Sequence, residues 1–238
     1  MNRKAKKESK AIPTIDIFAA ACAAQRINGH YAKETHTVYP NGSPWMPDGS
    51  DAPYMVVKAN KVMVREWLSA NNMSAVTEAD RTDAEAVRGY WQLKLFSVLT
   101  GTANDYEKSA VEAAASDTID SHDHQKIGLI ASLPAAYERG MLRDKRLEVK
   151  QEAALGSQHF GSVGESVSGK VEIIDCVYSQ NWSCYYVTGK FNGNMILFTT
   201  KTSVNTGDIF QFKGKIKKHR DENITQLNYV KLNNDAKL

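Results

Sequence analysis

The chain has 238 residues, 42% hydrophobic and 24% charged, which is the make-up of a folded globular protein with one large or two modest domains. No apolar run approaches the roughly 20 residues that span a bilayer. Three cysteines without a CxxC pair argue against a disulfide framework and for reduced thiols in a cytoplasmic protein.

The net charge of +3 names no partner by itself, so its distribution matters more. Residues 1–10 hold five basic residues against one acidic, and residues 157–238 hold ten against seven, leaving the middle net negative. Residues 1–12 are Lys-rich and poor in apolar groups, which predicts a disordered basic arm. The run IPTIDIFAAACAA that follows is broken by Asp16 and continues as an amphipathic pattern, so it reads as a helix rather than an export signal. Thr14 is the expected cap and Asn28-Gly29 the expected stop, with Ile15, Phe18, Ala19, Cys22 and Ile27 on the apolar face.

From His30 to Ala59 four prolines and two glycines crowd YPNGSPWMPDGSDAP, which excludes a regular helix there. A short hairpin of THTVY with YMVVK is the expected order within this loop. Helices are then predicted in turn. Asn60 is expected to cap KVMVREWLSANN, and Thr77 or Thr82 the longer stretch ending at Gly101, whose apolar positions are Val87, Trp91, Leu95, Phe96 and Leu99. NDYEKSAVEAAAS and DSHDHQKIGLIASL give two more, and Pro134 suits the first turn of the last, whose charged tail is expected in solvent. The Gly- and Ser-rich residues 156–165 then read as a linker between a helical domain, 13–155, and a separate module, 166–238.

The last third carries the functional signal. SVSGKVEIIDCVYS, SCYYVTGKF, MILFTT, DIFQFKGKIKKH and ITQLNYVKL alternate as strands, with loops QNW, NGN, KTSVNTG and RDEN between them. In the first strand Val167, Val171, Ile173 and Val177 share a face. In the fourth, Phe210, Phe212, Gly214 and Ile216 face one way and Gln211, Lys213, Lys215 and Lys217 the other. The expected fold class is therefore α+β: an all-α N-terminal domain followed by a closed five-stranded barrel.

Five strands with a long, kinked first member resemble the OB-fold, and GDIFQFKGKIKKHRDENITQLNYVKL is similar to the closing hairpin of small OB domains of phage proteins. That family binds oligonucleotides across strands two and three, between the first and fourth loops. The resemblance covers about residues 165–232 and implies a site made of Trp182 in the first loop, Tyr186, Thr188 and Lys190 on strand two, Phe198 on strand three, and Lys213, Lys215, Lys217, Lys218, His219 and Arg220 on strand four. Lysines neutralise phosphates, and aromatic faces stack on any base.

Other readings of these residues stand beside that one. Tyr185, Phe191, Phe210 and Phe212 suit a barrel core, the lysine row can guard a sheet edge, and Trp182 can cap the barrel end. His122-Asp123-His124 lacks a third ligand at helical spacing, and no catalytic motif, metal or cofactor site is expected. The functional expectation is a non-catalytic accessory protein for single-stranded DNA in replication, recombination or repair, in a bacterial cytoplasm or phage-infected cell. Its helical part would serve oligomerisation or docking onto a replication or recombination protein. The alternatives are a protein-interaction adaptor and an RNA-binding module.

Overall fold

The computed structural model describes residues 9–233. The expectation for residues 1–8 of the basic arm lies outside them. Contacts divide the chain into two units, Met1–Gly140 and Met141–Leu238.

In the first unit, β1 (Ala11–Pro13) leads directly into α1 (Thr14–Asn28), whose Ile17 to Ala24 run is buried on every side. Five of those residues are alanines, and their small side chains let the surrounding helices approach closely. A hairpin of β2 (His36–Val38) and β3 (Met55–Val57) pairs His36 with Val57, as the sequence predicts. Then come α2 (Asn60–Ser69), α3 (Glu78–Leu93), α4 (Leu95–Leu99), α5 (Asp105–Ala115), β4 (Thr118–Asp120), α6 (His124–Ile130) and α7 (Leu133–Ala154), which from Met141 onward belongs to the second unit. Phe18, Val64, Val87, Trp91, Ile119, Ile127, Ile130 and Leu133 join α1 in one core.

Several local expectations change in the folded chain. Residues 11 and 12 belong to a strand rather than an arm, because Ala11 and Ile12 pair with Asp120 and Ile119. Thr14 is no cap: it is the first residue of α1, fully buried, and its amide donates to the Asp117 carbonyl. Asn60 likewise sits inside α2, where its Oδ1 accepts from the Ala32 amide and the Asn28 side chain. The long predicted helix breaks at Lys94, which turns Leu95, Phe96 and Leu99 outward instead of into the core.

Thr77 does cap α3, in a reciprocal box with Asp80. Asp80 is the most heavily bonded carboxylate of this unit. It accepts Nε and Nη2 of Arg26 at 2.9 Å each, and the Thr77 amide and hydroxyl at 2.7 Å each. These bonds, the Arg26 fork first, hold its carboxyl at about 2, below the ordinary 3.8, against a burial effect in the other direction. α1 and α3 are thereby fastened by a side chain that is 1% exposed.

The second unit is a closed barrel of β5 (Ser166–Ser179), β6 (Cys184–Phe191), β7 (Asn194–Thr200), β8 (Ile209–Arg220) and β9 (Ile224–Asn233), in the order β5-β6-β7-β9-β8. All pairings are antiparallel except β7 with β9, so the connectivity is OB-like. Val171, Ile173, Val187, Ile196, Phe198, Phe210, Phe212, Ile216 and Leu227 fill the interior. Val204, from the loop between β7 and β8, is buried with them. Gly189 is required where the wall is tightest: a Cβ there would stand 2.5 Å from Val171 Cγ2 and 3.0 Å from the Glu172 carbonyl.

Residues 156–165, expected as a free linker, are bonded to the barrel. Ser157 Oγ accepts from the Met195 amide and donates to the Asn223 carbonyl, Phe160 packs on Phe191, and the Gly164 amide donates to Ile216.

The Asp80 linkage has a pH signature. Its folded-state value lies below the unfolded one, so its ionised form contributes fully above about pH 4 and loses that contribution as the pH falls toward 2. Asp80→Asn is expected to cost on the order of 2 kcal/mol at pH 7. The gap from wild type should close toward pH 2 in thermal melts followed by helical circular dichroism. A gap that persists at low pH would place the effect elsewhere.

Candidate nucleic-acid interface

The ligand face of an OB-like barrel is the outside of strands two and three, here β6 and β7. Its outward positions follow from the register: Tyr186 between Val177 and Thr199, Thr188 between Asp175 and Leu197, and Lys190 between Glu172 and Met195. The loop at 180–183 closes one end of this face and the loop at 221–223 the other. The two ends differ.

At the first end the surface is aromatic and open. Trp182 is 71% exposed on the hairpin tip, next to Ser183 in the left-handed region (φ 46°). Tyr186 and Val177 are exposed on the outward row, whereas Tyr178, the register partner of Tyr185, lies on the other side of the sheet, its ring tilted at 55° to that of Tyr185 with centroids 5.0 Å apart. Val177 is a reversal of expectation. A bulge between Ile173 and Asp175 adds a residue to β5, so the alternation shifts by one: Cys176 packs inward and Val177 faces out.

At the second end the face is shared with a helix. Leu147, Lys150, Gln151, Ala154 and Leu155, at the end of α7, line a cleft of about 710 Å³ with Thr188, Met195, Leu197, Arg220 and Ile224. Thr188, expected as an open contact position, is 7% exposed. Asp175 is buried on the same row. It pairs with Lys150 Nζ at 2.8 Å and Arg146 Nε at 3.7 Å, which ties the α7 tail to β5. The charged tail predicted to be solvated therefore has a structural role for two of its cations.

The eleven sequence-predicted residues do not form one groove. Trp182 and Tyr186 come together. Lys190 lies farther along the same face, opposite Glu172, and Arg220 lines the far cleft. Phe198 is a correction: it points into the barrel and is 1% exposed, because its register partner is the inward Val187. His219 is engaged in packing, with Nε2 donating to the Gly161 carbonyl and its ring 4.6 Å from that of His159. Lys218 faces out opposite Gln226.

Lys213 and Lys215 lie on another part of the wall, opposite Ser168 and Ser166 on β5. Along β5, Ser168 and Val177 are separated by about 30 Å of strand. Val177 is missed by the sequence pattern because only the bulge, which alternation does not reveal, brings it to the outward row.

No protein-family model, curated protein or solved structure matches this chain. Among the described residues, no helix is long and apolar enough to cross a membrane.

Asp175 offers a direct test of the helix-covered end. Asp175→Asn should free the α7 tail from β5, at a cost of about 1 kcal/mol since both cations remain partly solvated. Limited trypsin digestion should then cut at Arg146 or Lys150 several-fold faster than in wild type, with the barrel still folded. Equal cutting would show that the two ion pairs do not hold the tail.

Proposed function

We propose that the barrel binds single-stranded DNA through the open end of the β6 face, with Trp182 and Tyr186 as stacking platforms. The chain would act without catalysis as an accessory protein of replication, recombination or repair in the cytoplasm of a bacterium or phage-infected cell. The observation that carries this reading is the exposed aromatic pair Trp182 and Tyr186, at the end of the face where OB-like barrels take their ligands. An exposed Trp at a hairpin tip adds little to the core. Its indole face is free to stack on a base, a contact that tolerates any sequence.

The open end also has the polarity that stacking requires. Val177 and Thr199 flank Tyr186 and present no carboxylate to repel a phosphate chain. Lys201 follows Thr200, the register partner of Tyr185, and supplies a nearby cation.

Oligo-dT titrated into the full chain should quench tryptophan fluorescence, and the affinity should fall as salt rises. Trp182→Ala should weaken binding by about 1–3 kcal/mol while leaving the melting temperature in place. Absence of quenching at low salt would exclude this reading, and unfolding of the variant would assign Trp182 to the barrel end instead. Competition between oligo-dT and oligo-U separates DNA from RNA preference.

A further inference from the structure

The outward face of β8, with its neighbours on β5 and β9, has a regular lattice of side chains. Reading across the three strands, one row is Ser166, Lys215 and Asn228. The next is Ser168, Lys213 and Lys231, and the third is Lys170, Gln211 and Asn233. Four of these nine residues are lysines, all exposed, and none is a carboxylate. Glu172, the nearest acid along β5, lies one row beyond Lys170, opposite Ile209.

Between the first two rows β9 contains an extra residue. Lys213 pairs with Lys231 and Lys215 with Asn228, so Tyr229 and Val230 together oppose Gly214. Val230 packs on the barrel core. Tyr229 is left outside, 80% exposed, with φ +53°. A bulge of this kind normally places glycine in the left-handed position, because a side chain there crowds its own carbonyl. The partner strand supplies the space: a Cβ on Gly214 would stand 3.0 Å from Val230 Cγ2. A tyrosine thus occupies the strained position of the bulge and gains little burial there. Strain of this kind is retained where it aims a side chain at something.

We propose that this lattice is a second single-strand site, in which Tyr229 stacks on a base and Lys170, Lys213, Lys215 and Lys231 hold the flanking phosphates. Its occupant is a polyanion with flat bases, as the charge and the lone exposed ring require. The site is separate from the aromatic end of β6, since the lattice uses the first half of β5 and the other face its second half. One barrel then holds two single strands at once, which is what bridging or annealing two strands requires.

The test uses the full chain, oligo-dT of eight residues at low salt, and native mass spectrometry. Wild type should take up two oligomers per chain. Tyr229→Gly should lose one of them, with that site weakened about five- to 150-fold, the effect of one lost base stack. Its tryptophan quenching should be unchanged and its melting temperature equal or higher, because glycine relieves the left-handed backbone. An abasic oligomer of the same length should bind wild type and Tyr229→Gly equally at this site.

Uptake by Tyr229→Gly of as many oligomers as wild type, whether one or two, overturns the proposal, whereas a single wild-type oligomer that is lost in Tyr229→Gly removes the first site alone. A clear fall in melting temperature would show that Tyr229 serves the fold, and displacement by poly-glutamate as readily as by oligo-dT would reduce the lattice to a simple anion binder. Trp182→Ala is read separately: loss of quenching with the lattice still occupied removes the first site alone, so the two readings fail independently.

Discussion

One strand, β5, belongs to both sides of the barrel, and the closure of the second unit depends on it. Its first half pairs with β8 from Ser166 to Glu172, and its second half pairs with β6 from Glu172 to Ser179. A single strand can serve two neighbours only if it bends sharply between them, and the bulge between Ile173 and Asp175 is where it does so. Val171 and Ile173 stay in the core before the bulge, and Cys176 returns to it afterwards. The extra residue therefore does two things at once. It turns the strand, and it exchanges the faces, so that Asp175 and Val177 look outward.

That exchange defines what surrounds the β6 face. Asp175 becomes a buried outward carboxylate that has to be paired, and Arg146 and Lys150 of α7 pair it. The helix tail is then held over Thr188 and Leu197, and Ser157 closes over Met195. The face expected to be open from end to end is divided into a cleft shared with α7 and an aromatic end beyond its reach. Val177, on the same outward row as Asp175, adds apolar surface to that open end.

Much of the barrel was legible because alternation is a local signal. Phe210, Phe212, Gly214 and Ile216 do point inward, and the five strands lie where the pattern of turn residues placed them. The α2–α3 region was legible through a chemical signature, Thr77 three residues before an acid. The errors share a cause. Alternation does not register a one-residue insertion, so it places Val177 inward and does not show the outward aim of Tyr229. Phe198 differs from expectation because an aromatic on a short strand fits either face, and only the register with Val187 turns it inward. Leu95, Phe96 and Leu99 keep helical spacing, but spacing does not show that the helix stops at Lys94. The Gly- and Ser-rich residues 156–165 have a linker's composition, yet their hydrogen bonds close gaps in the barrel wall.

Charge gives the last step. The net excess of three basic residues in 157–238 conceals a polarised surface. Glu172, Asp175, Asp221 and Glu222 all lie along or beside the β6–β7 face, whereas the nine-residue lattice on β5, β8 and β9 contains no acid. The most exposed aromatic group and the densest lysine group thus occupy different parts of one wall, related by the path of β5. Where only lysines are present, a single ring, Tyr229, is held out at the cost of a left-handed backbone. The two faces of the barrel thus differ both in charge and in aromatic content.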